Sequence, residues 1–228
     1  MNYALPVPEL PSVAIDGLPL RFPVRRVFCI GRNYAEHAKE MGGTVDKASP
    51  MFFTKPADAL VTDGADVPYP SATSDLHHEV EMVVALKAGG SDIDPADAQA
   101  LVYGYAIGLD LTRRDLQAAA KAKGAPWDTA KGFDHSAPIS MLVPAERAKV
   151  NGDTPIALFV NGQKCQSATL GEMVHSVPEI IAALSKLYEL KAGDLIYTGT
   201  PAGVAALQRG DRFEATLGNI VSLEGRIT

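Results

Sequence analysis

The stretch SDLHHEVEMVVAL, residues 74–86, reads as a β-strand entering a core, yet Glu79 and Glu81 stand at its start. On a strand, residues two apart point to the same side. Two neighbouring carboxylates on an otherwise apolar strand repel each other. They are costly to bury unless positive charge lies between them.

A third carboxylate enters from YGYAIGLDL (103–111), an apolar run that Asp110 closes. If the two strands lie side by side, Glu79, Glu81 and Asp110 converge. Ligation by oxygen alone suits a hard divalent cation, Mg²⁺ above all, with Mn²⁺ or Ca²⁺ also admissible. The plain alternative is a set of ion pairs at strand ends. His77 and His78 raise a zinc site as a rival, but adjacent strand residues face opposite ways and do not easily reach one ion.

Around this centre the chain alternates short strands with few helices. Apolar runs flank Asp16-Gly17 in SVAIDGLPLRF (12–22), a hairpin signal. RRVFCIG (25–31) and PMFFTKP read as strands, separated by a short helix in NYAEHAKEMGG. Asn33 is expected to cap that helix, with Glu36 three residues on and Gly42-Gly43 as its stop. TRRDLQAAAKAKG (112–124) is predicted helical, and PIALFVNGQKCQSA is predicted to be a hairpin turning at Asn161-Gly162. The clearest helix is SVPEIIAALSKLYELKAGD (176–194), with Ser176 and Glu179 in capping-box spacing. Strands and turns follow to the end. Strands outnumber helices without strict alternation, which predicts an α+β fold around a mixed sheet. Residues 1–24 are expected to form an N-terminal strand or hairpin segment, and 25–228 the main domain.

The 228 residues suit one domain with an ordinary core, and a net charge of −6 argues against nucleic acid or an anionic membrane as partner. Cys29 and Cys165, the only cysteines, stand far apart in strand-like contexts, as expected of reduced thiols in a cytoplasmic protein. No signal peptide or membrane span is expected.

Other residues offer chemistry. His37 and Glu40, at i and i+3 on the short helix, can touch, and a carboxylate beside an imidazole raises its basicity as a general base for water needs. The plain reading is a surface helix contact. Flanking glycines would let that helix move as a lid, or would simply end it. Arg32, Lys55, Arg113, Arg114 and Lys131 are candidates to meet substrate carboxylates, and Gln117 to orient a water. YTGTPAGV (197–204) lacks the Lys-Ser/Thr of a phosphate loop, but its backbone N–H groups and Thr200 could cradle a carboxylate.

Taken in order, GRNYAEHAKEM, FFTKPADAL, DLHHEVEMVVAL, GYAIGLDLTRRDLQ, KGAPWDTAKGFDHSAP and GDLIYTGTPAGV resemble the fumarylacetoacetate hydrolase superfamily over residues 25–228. The chain looks most like its bacterial fumarylpyruvate hydrolase and acylpyruvase branch. The resemblance implies a mixed β-roll with short peripheral helices, usually a homodimer. It implies Glu79, Glu81 and Asp110 as metal ligands for Mg²⁺ or Mn²⁺ and His37 with Glu40 as catalytic dyad. It further implies roles for Lys131, Gln117 and Thr200, and a small 2-oxo acid as substrate. The expected reaction is C–C hydrolysis of a 2,4-dioxo acid, fumarylpyruvate in gentisate breakdown. Oxaloacetate decarboxylation or a 2-hydroxymuconate-type isomerisation are the alternatives on the same site. A non-catalytic binding module, with the ion only tying strands together, is the rival from another class.

Overall fold

A computed structural model of the chain describes residues 3–43, 47 and 50–228. Its centre is a six-stranded mixed sheet in the order Val143–Pro144, Val102–Leu109, Val80–Leu86, Asp194–Tyr197, Arg26–Gly31, Met51–Lys55. Only Asp194–Tyr197 and Arg26–Gly31 run parallel; the other pairs are antiparallel. Every residue of Val80–Leu86 is buried, because this strand has a core on both faces. Met82, Val84 and Leu86 face a cluster shared with Ile156, Leu158, Phe213 and Leu217 of a second, four-stranded antiparallel sheet. Val83 and Ala85 face the other cluster, with Val27, Cys29, Ala106 and Tyr197. That strand therefore reads as a continuous apolar run, broken only at the buried Glu81. The architecture is the α+β class predicted, a mixed β-roll with short helices at its edge.

The hairpin at Asp16-Gly17 forms between Ser12–Ala14 and Arg21–Pro23, and Val13, Ile15 and Phe22 join the second cluster. The hairpin at Asn161-Gly162 forms as well, both residues taking the positive φ the turn needs. The clearest helix spans Val177–Leu187 and carries the Ser176–Glu179 capping box; it stops short of 194 because Tyr188 returns to an extended conformation. The helix expected from 112 begins at Arg114, since Thr112 and Arg113 pair with Leu76 and His77 as a short strand. Gly124, at φ +62°, closes it.

Asn33 does not cap the helix Ala35–Glu40; the cap position is Tyr34, with no side-chain bond. The buried Asn33 amide donates to Thr198 O (2.8 Å) and His175 O (3.0 Å) and accepts from His175 N (2.7 Å). Three buried bonds joining three segments outweigh the single bond of a cap. Among the described residues, no helix is long and apolar enough to cross a membrane.

Candidate active site

Strand register delivers the carboxylates to one face. Glu81 lies opposite Gly108, and Val83 opposite Ala106. Counting by twos, Glu79, Glu81 and Asp110 share the face of Val83 and Ala106. Asp110 N–H donates to Glu79 O at 2.8 Å, locking the ends of the two strands together. One oxygen from each carboxylate lies within 4.8 Å of the others, and all three side chains are buried.

The positive charge that this burial demands is present. Lys131 Nζ stands 2.7 Å from Glu79 Oε2 and 2.6 Å from Asp110 Oδ2. Arg114 donates to Glu79 Oε1 at 2.5 Å and to Gln117 Oε1 at 2.6 Å. Lys55, opposite Val27 on the same sheet face, stands 2.8 Å from Asp110 Oδ1 and donates to Leu111 O and Lys131 O. It is close enough to Oδ1 for an ion pair but off the line of a hydrogen bond, so that oxygen is buried without a donor. Among the described residues, Glu81 has only the backbone N–H of Gly199 at 2.7 Å.

These unequal surroundings split the carboxyls. Burial opposes ionisation of Glu79, but Lys131, Arg114 and His37 outweigh it and hold its pKa well below the usual range. Burial, then the charges of Asp110 and Glu79, push Glu81 well above its ordinary value. Burial works against the Lys131 ammonium, yet Asp110 and Glu79 more than offset it and its pKa is raised. A set of three converging carboxylates, with one Asp110 oxygen lacking a donor, fits a hard divalent cation.

The helix Ala35–Glu40 lies over this floor. His37 is buried, its Nδ1 3.2 Å from Glu40 Oε2, and Glu40 Oε1 accepts from Gly203 N–H at 3.0 Å. Gly199 and Gly203 belong to the loop after Asp194–Tyr197, so its backbone does cradle carboxylates, the protein's own Glu81 and Glu40. Gly199 is required there: its φ is +94°, and a β-carbon would come 2.5 Å from Asn33 Cβ.

A cleft brings His37, Gln117, Lys131, Arg32, Arg114 and Thr200 together with the three carboxylates. Lys55 and Arg113 do not line it. Lys55 supports Asp110 from behind, while Arg113 donates to Thr129 O (3.2 Å) and lies 4.2 Å over the Phe133 ring. His77 pairs with Asp75 at 2.8 Å and His78 with Gln166 at 2.9 Å, so neither joins the carboxylate group.

Two kinds of residue escaped the sequence reading. Gln166 is fully buried and joins Val80 N, His78, Thr200 Oγ1 and Pro201 O, fixing the strand of Glu81 to the glycine loop. Nothing marks it in a polar hairpin strand. Met51, Phe53 and Trp127 wall the cleft, and as apolar residues they read as core.

Known proteins resemble this chain in sequence and in fold. Residues 26–228 match the family described as fumarylacetoacetate (FAA) hydrolase C-terminal. An oxaloacetate tautomerase of Escherichia coli (strain K12) is 42% identical, over 88% of this chain and 92% of its own. A fumarylpyruvate hydrolase of Ralstonia sp is 47% identical, over 76% of this chain and 91% of its own. The crystal structure of fumarylpyruvate hydrolase from Pseudomonas aeruginosa, in complex with Mn²⁺ and pyruvate, superposes with a TM-score of 0.96 at 43% identity, covering 100% of this chain and 99% of that one. The chain is thus an enzyme, and it belongs to the fumarylacetoacetate hydrolase family.

Proposed function

We propose that this enzyme hydrolyses the C–C bond of an acylpyruvate, fumarylpyruvate to fumarate and pyruvate in aromatic catabolism. It would use Mg²⁺ or Mn²⁺ held by Glu79, Glu81 and Asp110. The observation that carries the reading is the His37–Glu40 pair over the carboxylate floor. Hydrolysis needs a base for water, and this pair supplies one.

In this reading Glu79, Glu81 and Asp110 would hold a divalent cation, which would supply Lewis-acid polarisation and orientation to a 2-oxo acid substrate. Glu40 accepts the Nδ1 proton of His37, leaving Nε2 to take a proton from water. Gln117 has its Oε1 committed to Arg114, so its amide nitrogen is the donor left to orient that water. Hydroxide attacks the acyl carbonyl. Lys131 uses two of its three donors on Glu79 and Asp110, which leaves the third to meet the oxygen on which charge develops. Cleavage gives the acyl acid and the enolate of pyruvate, and His37 returns the proton. Thr200, held by Gln166, lines the same cleft as a substrate contact.

A second reading, oxaloacetate tautomerase or decarboxylase, is favoured by the 42% identity to the E. coli tautomerase. One panel separates them: fumarylpyruvate, acetylpyruvate and oxaloacetate with added Mg²⁺, following loss of the enolised diketone absorbance and formation of pyruvate. Pyruvate from the acylpyruvates, abolished by EDTA and restored by Mg²⁺ or Mn²⁺, is the expected result. Turnover of oxaloacetate alone, or full activity without a cation, would overturn it. We also place the enzyme in the cytoplasm as a homodimer, on the unpaired cysteines and the family resemblance.

A further inference from the structure

The helix Arg114–Lys123 turns Arg114, Gln117 and Lys121 toward the cleft, at spacings of three and four that put them on one face. The first two are committed: Arg114 to Glu79 and Gln117, and Gln117 to Arg114. Lys121 is not. Among the described residues its ammonium makes no hydrogen bond or ion pair, and it stands 5.1 Å over the ring of Trp127. Arg32 joins it at the mouth of the cleft. Arg32 is exposed and, among the described residues, without an acidic partner. Its backbone takes φ +59°, an uncommon conformation for a non-glycine residue. Its guanidinium lies against Gly43, where a β-carbon would come 3.3 Å from Cζ. Burial, then the charges of Arg114 and Arg32, lower the pKa of Lys121 against an opposing pull from Glu79. The other arginine that sequence offered, Arg113, is turned onto Phe133.

We propose that Lys121 and Arg32 form a subsite for a second carboxylate at the acyl end of the substrate. The enzyme then selects acylpyruvates that carry a charge at both ends over those with an uncharged acyl group. The assignment rests on the acylpyruvate reading above. The spacing along the helix agrees with it. Lys121 lies seven residues beyond Arg114, about 10 Å along the axis at about 1.5 Å per residue. An extended six-bond carbon chain spans roughly 7.5 Å, taking about 3.8 Å for three bonds, and a charge-assisted hydrogen bond adds about 2.8 Å. On that spacing a seven-carbon diacid held at the Glu79 end would reach Lys121 with its far carboxylate, and Met51, Phe53 and Trp127, which line the same cleft, would flank its middle.

Trp127 is the only tryptophan, and its emission reports binding beside Lys121. The Mg²⁺-loaded protein is titrated with fumarylpyruvate and with acetylpyruvate, in a His37→Ala background that slows turnover about 10²-fold or more. The readout is the ratio of the two dissociation constants. Lys121→Met and Arg32→Met should each reduce the preference for fumarylpyruvate roughly 10- to 100-fold, and Lys121→Arg should restore most of it. The same ratio is then taken from kcat/KM with His37 intact. Equal weakening of both ligands, or no change in the ratio, would overturn the subsite. If the parent enzyme cleaves neither ligand, the hydrolase reading fails by itself, and the fluorescence ratio still decides the subsite.

Discussion

Replacing His37 with alanine removes one imidazole and leaves the three carboxylates and their cationic partners in place. The expected outcome is a fall in kcat of about 10²-fold or more, with Mg²⁺ binding by calorimetry unchanged. A near-normal rate would remove His37 from the mechanism. At this scale the sequence was informative wherever a side chain's neighbour is set by local periodicity. Glu79 and Glu81 share a face because strands alternate, and His37 meets Glu40 because helices bring i and i+3 together. It was uninformative wherever the partner is set by packing. Lys55 looks like any surface lysine, yet it is buried behind Asp110. Asn33 looks like a helix cap, yet its amide is used to join segments more than a hundred residues apart.

On the strand Val102–Leu109 a missing side chain makes room for Tyr197 and for the Pro138 carbonyl. Gly108 lies opposite Glu81, and a β-carbon there would come 2.8 Å from Tyr197 Cε1 and 2.9 Å from Pro138 O. Gly108→Ala is therefore expected to cost about 1–3 kcal/mol by overpacking. It would be seen as a lower urea midpoint with an unchanged slope. An unchanged midpoint would show that Tyr197 yields. Elements of this size were legible from alternation, turn glycines and the Ser176–Glu179 box. The short strand Thr112–Arg113 was not, because its pairing with Leu76–His77 is a long-range choice that overrides local helix propensity.

For the molecule as a whole, the unequal carboxyls couple stability to pH and to the cation. Burial and the charges of Asp110 and Glu79 hold the Glu81 carboxyl above its ordinary 4.5. Above that pH the folded chain keeps a proton that the unfolded chain releases. This group's contribution to stability is therefore fully present at low pH and declines as pH rises through the window between the two values. A divalent cation competes for the same oxygens and offsets the repulsion, so its rise in Tm should be larger at pH 8 than at pH 6 by calorimetry. The opposite order would mean that the ion does not bind at Glu81. The mixed sheet was legible at this scale from the ratio of strands to helices, whereas the order of its strands was not. The same long-range order completes the catalytic dyad. His37 and Glu40 look like a local pair, but the Glu40 carboxylate is also held by Gly203 N–H, 163 residues further along the chain. During refolding, the helix can form early while the base remains untuned. Activity returns only once the last third of the chain has docked, so recovery of catalysis reports the slowest long-range pairing rather than the appearance of helix.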